Sequence, residues 1–210
     1  IAGMRTPLAH SARKNYPPQT YEAHVRGVCE RAGKYAAEAE CYSVKANGIL
    51  SAIVRDSALL HDLGKLEERN QSVLREQSRR RRHLPVDHTD AGSAALQKMG
   101  SGCAAMLLYS HHQGLPDLST EFAARGCSIF RNGNAAVRAE TDAALPALLR
   151  QHEALFPRKP NKEVQAYDGD PAVFLRMALS CLADADHGDT AAAFGQTEKA
   201  MPELRPQERL

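Results

Sequence analysis

His61-Asp62-Leu63-Gly64-Lys65 follows the apolar run Ile49-Leu50-Ser51-Ala52-Ile53-Val54-Arg55-Asp56-Ser57-Ala58-Leu59-Leu60, and this junction decides how the chain is read. The run has the length and composition of a buried helix. A histidine and an aspartate at the end of such a helix need partners, because buried polar groups are costly unless they are paired. Carboxylate and imidazole side by side in apolar surroundings favour a cation. The plainer alternative is a histidine at a helix C-terminus, with Gly64 as the turn residue.

The same pattern recurs. Gly102 to Ser110 is a second apolar helix, and it delivers His111-His112 followed by Gln113-Gly114. Four further segments carry single candidates. His24 lies one residue before Val25 on a helix spaced by Val25, Val28, Ala32, Tyr35 and Ala36, predicted from Thr20 as N-cap to Ala39. A lone histidine there would read as a core residue. His88 sits in Asp87-His88-Thr89-Asp90, ahead of a helix predicted over Ala91 to Met99. A last helix, predicted from Pro171 to Asp184, ends in Asp184-Ala185-Asp186-His187-Gly188-Asp189. His10 lies near the start, in Leu8-Ala9-His10-Ser11, either lining a substrate channel or closing the local fold.

Between these landmarks, residues 5–20 read as irregular because of Pro7, Pro17 and Pro18. Leu66 to Gln77 reads as a short helix. Glu121 to Arg138 shows only the turn signal Asn132-Gly133-Asn134. Thr141 to Leu155 reads as an amphipathic helix with Pro146 in its first turn, and His83 and His152 read as surface residues. No segment keeps strand period for long. The expected fold is all-α, a single compact multi-helix domain over residues 1–200, with a polar tail or linker at 201–210.

Composition narrows the options. The 210 residues carry a formal net charge of +2, too small to announce a nucleic-acid binder. The basic residues are clustered, however. Arg79, Arg80, Arg81 and Arg82 are either a solvated loop or, beside a phosphodiester-cleaving site, a backbone clamp. Five cysteines in no paired spacing suit free thiols in a reducing cytoplasm. No stretch has the unbroken apolar length of a membrane span, and no signal peptide opens the chain.

The candidates therefore number His24, His61, Asp62, His88, His111, His112 and one aspartate of the Asp184–Asp189 cluster. Imidazole with carboxylate suits borderline divalent metals, and no cysteine lies near enough for a thiolate zinc site. So many ligands suit two ions better than one. Asp62 is the natural bridge between two ions placed about 4 Å apart for phosphoester hydrolysis.

His61-Asp62 with scattered further His and Asp resembles the HD superfamily of metal-dependent phosphohydrolases. More narrowly, Ala9-His10-Ser11, His24, His61-Asp62-Leu63-Gly64-Lys65, His88 before Ala91-Gly92, His111-His112-Gln113-Gly114 and Leu182-Ala183-Asp184 are similar, in order and spacing, to the HD nuclease domain of the CRISPR type I effector helicase-nuclease. The resemblance spans nearly the whole chain. It implies His24, His61, Asp62 and Asp184 on one ion, with Asp62 bridging to a second held by His88, His111 and His112. It further implies Lys65 steadying a phosphate or the hydroxide, with Asp186, His187 and Asp189 behind the ligands. The implied activity is hydrolysis of single-stranded DNA by a metal-bound hydroxide in antiviral defence, with one or two Mn, Fe, Co or Ni ions and with Mg and Zn disfavoured. The implied partners are a surveillance complex and an ATP-driven helicase, expected as a separate chain or a removed C-terminal portion, since no Gly-x-x-x-x-Gly-Lys-Ser/Thr motif occurs here. The competing expectations are an HD phosphohydrolase of nucleotides or cyclic nucleotides, and a metal-binding, effector-docking module without catalysis.

Overall fold

The computed structural model describes residues 5–46, 48–76, 83–157 and 169–196. The arginine run Arg79–Arg82, the loop around Lys159 and the 201–210 tail lie outside the described residues. Eight α-helices occur among the described residues: α1 (Tyr21–Glu40), α2 (Ile49–Leu60), α3 (Glu68–Arg75), α4 (His88–Lys98), α5 (Gly102–Ser110), α6 (Leu118–Arg125), α7 (Ala135–Leu155) and α8 (Pro171–Ala193). The expected all-α architecture is what the chain adopts. One addition is a small antiparallel hairpin, β1 (Leu8–His10) with β2 (Gln19–Thr20), inside the segment expected to be irregular. The proline-rich turn between the two strands does not prevent pairing at its base.

Local chemistry sets most boundaries. Thr20 caps α1, its Oγ1 accepting from the Ala23 N–H at 3.1 Å. Asp87 caps α4, accepting from the Thr89 N–H at 3.0 Å, so α4 opens at His88 rather than at the expected Ala91. Asn134 caps α7 by accepting from the Ala136 N–H at 2.9 Å, which starts that helix six residues before the expected Thr141 and leaves Pro146 in its interior. The helix persists past the proline because its inner residues, Thr141, Leu145, Leu148 and His152, are buried. Asp170 caps α8 through the Ala172 and Val173 N–H groups, and α8 continues past the expected Asp184 to Ala193.

α1 packs against α2 and α8, and α4 packs against α5, with α2 in contact with all of these. The core is aliphatic, with Leu50, Ile53, Val54 and Leu60 from α2 set among Val25, Val28, Leu107, Leu108 and Leu182. α4 lies unusually close to its neighbours. A Cβ on Gly92 would fall 2.2 Å from the Leu60 carbonyl oxygen, and one on Gly64 would fall 2.6 Å from that of His88. These approaches bring the start of α4 against the turn that follows α2. No helix among the described residues is long and apolar enough to cross a membrane.

Candidate metal centre

After Leu60 the backbone tightens into a 3-10 turn over Leu63–Leu66, all four residues buried. This turn holds Asp62 and Lys65 on one side, as their three-residue separation predicts, with Lys65 Nζ 2.7 Å from Asp62 Oδ2. His61, from the last turn of α2, places Nε2 3.4 Å from the same oxygen. From α1, His24 Nε2 lies 3.2 Å from Asp62 Oδ2 and 3.2 Å from His61 Nε2. His24, His61 and Asp62 therefore form one compact group, fully buried.

The fourth member of this group is Asp186, not the expected Asp184. Asp186 Oδ1 is 3.2 Å from His24 Nε2 and 3.9 Å from His61 Nε2. Asp184 is exposed, two residues away on the same helix and therefore about 200° around its axis. The buried residues Phe174, Ala178, Cys181, Leu182, Ala185 and Asp186 keep one helical stripe, and its spacing would have selected Asp186 had α8 been extended beyond Asp184. Asp189 continues that stripe and accepts from His24 Nδ1 at 2.8 Å and from Gln19 Nε2 at 2.7 Å. His187 is exposed and takes no part.

A second group stands beside the first. His88, His111 and His112 bring ligand nitrogens within 4.8 Å of one another, with His88 Nε2 3.0 Å from His112 Nε2. Asp62 links the two groups, because its Oδ1 lies 3.8 Å from His88 Nε2 while Oδ2 faces His24 and His61. His10, on β1, closes the other flank. It forms a third set with His24 and Asp186, its ring centroid is 4.7 Å from that of His24, and its Nε2 is bonded to the Thr190 hydroxyl at 3.1 Å. His83 is exposed, as expected. His152 is not: it is buried under α1, with Nδ1 hydrogen-bonded to the Tyr21 hydroxyl at 3.0 Å.

Hydrogen bonds fix the tautomers. His61 Nδ1 faces the Ala58 carbonyl at 2.7 Å, and His111 Nδ1 faces the Leu108 carbonyl at 2.5 Å. A carbonyl only accepts, so Nδ1 of each ring carries the proton and Nε2 of the neutral ring is a lone pair. His24 Nδ1 is held in the same way by the Asp189 carboxylate. The Nε2 lone pairs of His61 and His111 and the carboxylates of Asp62 and Asp186 thus converge around Nε2 of His24. His111 Nε2 is buried and has no hydrogen-bond partner. A donor set of this kind, with the far ring nitrogens anchored on carbonyl or carboxylate oxygens, fits a divalent transition-metal ion.

Charge state follows from the same surroundings. Burial pulls His88, His111 and His112 each down to about 4, leaving all three neutral near pH 7. Burial, with Lys65 and His24 nearby, pulls His10 down to about 3. Burial opposes ionisation of Asp62, yet the Lys65 ammonium and the His61 and His24 rings hold it well below the usual carboxylate range. Burial also works against the charge on His24, but bonds to Asp186, Asp189 and Asp62 overcome it and push the ring up to about 10.

A cleft of about 290 Å³ opens beside the second group, lined by His88, His112, Tyr109, Arg125 and Asn132 among others. Sequence reading missed its far wall, residues 125–133, because those residues carry no periodicity. Compared with known proteins, the chain matches no protein-family model, no curated protein and no solved structure.

Proposed function

We propose that this chain is a metal-dependent phosphodiesterase that cuts single-stranded DNA, working in CRISPR type I antiviral defence beside a helicase and a surveillance complex. One observation carries the hydrolytic part: Asp62 turns one carboxylate oxygen to each of two histidine groups, an arrangement suited to holding a pair of divalent cations. Bound there, divalent cations would acidify a water and neutralise charge developing on a phosphate. The imidazole-rich donors favour Mn, Fe, Co or Ni. His24, His61, Asp62 and Asp186 would hold an inner cation, and His88, His111 and His112 with Asp62 an outer one. Lys65 keeps Asp62 ionised and oriented. The inner group is closed to solvent, so the substrate approaches from the side of His112, which is exposed. The single-stranded DNA and the CRISPR setting rest on the order of motifs from His10 to the α8 aspartates. With aromatics at only 5 % of residues, few surfaces are available to stack on bases, so recognition of the strand is independent of its sequence.

A second reading draws on the cleft. A volume of about 290 Å³ beside His88 and His112 also suits a free nucleotide, which supports an HD phosphohydrolase of nucleotides or cyclic nucleotides. The deciding experiment incubates Mn(II)-loaded protein with a labelled single strand and with a nucleotide panel, for the native chain and Asp62→Ala. Cleavage of the strand, reduced at least about 10³-fold by Asp62→Ala, is expected. Turnover of nucleotides alone would transfer the assignment to the second reading, and equal activity of the two proteins would sink both.

A further inference from the structure

The wall of the cleft is built to hold a shape. Between α6 and α7 the chain crosses α4, where Arg131 forms a bidentate pair with buried Asp90 at 2.7 and 2.9 Å. The Asn132 N–H donates to Asp90 Oδ1 at 2.8 Å, and Asn132 Nδ2 donates to Asp87 Oδ2 at 2.8 Å. Phe130, next to this anchor, has φ +59°, a left-handed conformation that a bulky residue keeps only when its surroundings impose it. Asp87 is also the cap of α4, so the same bonds that fix the wall fix the helix end carrying His88.

The charges of this wall are already matched. Arg131 is paired with Asp90, and Arg125 Nε lies 2.8 Å from Glu121 Oε1. Among the described residues, no unpaired guanidinium lines the cleft to grip a phosphate. What remains are flat surfaces. Half-buried Tyr109 lines the cleft, one face of its ring turned to the Arg125 guanidinium 5.7 Å from the centroid, and the Gln113 amide donates to the Tyr109 carbonyl at 3.0 Å, which leaves its own oxygen as an acceptor at the rim. Planar side chains of this kind stack on any base, since every base has a π-face.

From these features we infer that the cleft is a nucleobase subsite: it seats the nucleoside next to the reacting phosphate on Tyr109, leaving the phosphate to the His88 and His112 side. The inference rests on the reading of the two histidine groups as a phosphodiesterase centre, and it adds that binding depends on a base rather than on sugar-phosphate alone.

Calorimetric titration of Mn(II)-loaded protein with dAMP, dTMP and deoxyribose 5-phosphate tests it. Both nucleotides are expected to bind the native chain at least about ten-fold more tightly than the baseless sugar phosphate. Tyr109→Leu keeps apolar bulk beside Phe130 but no π-face, and should remove that difference, while Tyr109→Phe should keep it. A thermal melt of each variant checks folding, and the Phe variant provides a control with the same ring. Equal binding of nucleotide and sugar phosphate by the native chain, absence of any binding, or an unchanged preference in folded Tyr109→Leu overturns the subsite. Base-dependent binding without cleavage of any substrate would leave the subsite standing and remove the hydrolase reading. Metal-dependent cleavage with no base preference would remove the subsite alone.

Discussion

Among the residues of the centre, His111 states the problem most sharply. Its Nδ1 is tied to the Leu108 carbonyl and its Nε2 is buried with nothing to accept from. An orphaned buried polar atom costs about 1–3 kcal/mol, so the cation-free protein carries this group at a loss. His111→Asn can keep the donor to Leu108 while deleting Nε2. The variant is expected to melt within about 2 °C of native without metal. Native protein with Mn(II) at about one hundred times its dissociation constant should gain about 2.7 kcal/mol, a rise of roughly 5–10 °C at this chain length. His111→Asn should lose most of that rise in a thermal melt with and without Mn(II). A full metal-induced rise in the variant would exclude His111 as a ligand. The candidate set was largely legible in sequence because histidine and aspartate at helix ends are conspicuous. Asp186 was not, since choosing it over Asp184 requires knowing that α8 continues past both. His152 was misread for a related reason: only the stripe Thr141, Leu145, Leu148, His152 reveals its buried side, and that stripe depends on α7 running through Pro146.

Elements bring these residues together through close backbone contact. Gly92→Ala would drive a methyl into the Leu60 carbonyl at the end of α2, and Gly64→Ala would press on His88 at the start of α4. Each should destabilise by about 1–3 kcal/mol in urea unfolding, the usual range for an overpacked core. Gly64→Ala should in addition weaken Mn(II) binding, because it displaces Asp62 relative to His88. Ordinary unfolding in both variants would show that the helices have room to part. The contact of α7 with α1 provides a pH test. Burial pulls His152 down to about 4, against about 6.5 in the unfolded chain. The unfolded state therefore binds the proton more tightly. Stability is fully present above pH 6.5 and falls as pH drops toward 4, by about 1.4 kcal/mol per unit for this one proton. His152→Gln still bonds to Tyr21 but does not titrate. Stability measured by urea melts should then fall less steeply over that window, by about one proton's worth. An identical acid slope would remove His152 as its source. Helix identities were readable from apolar spacing, whereas the starts of α4 and α7 were not, because Asp87 and Asn134 outweigh the interior pattern as caps.

At the scale of the whole molecule, the aliphatic core is continuous through α1, α2, α4, α5, α7 and α8. Chelation is therefore expected to abolish hydrolysis while leaving the far-ultraviolet helical signal within about 10 % of native, since burial of this core dominates stability. Loss of most helical signal on adding EDTA would show that the cations hold the fold itself. The wall at residues 125–133 was invisible in sequence for a reason proper to this scale. It is fixed by bonds to residues some forty positions earlier, such as Asn132 to Asp90, and no local pattern encodes such a partner.

The centre draws on His24 near one end of the chain and on Asp186 and Asp189 near the other. During synthesis the ribosome releases the histidines and Asp62 well before α8, so a nascent chain holds an incomplete cradle. The inner group lacks the Asp186 carboxylate, and His24 lacks Asp189, the partner that orients it. On the hydrolase reading proposed above, activity begins only after translation has passed α8.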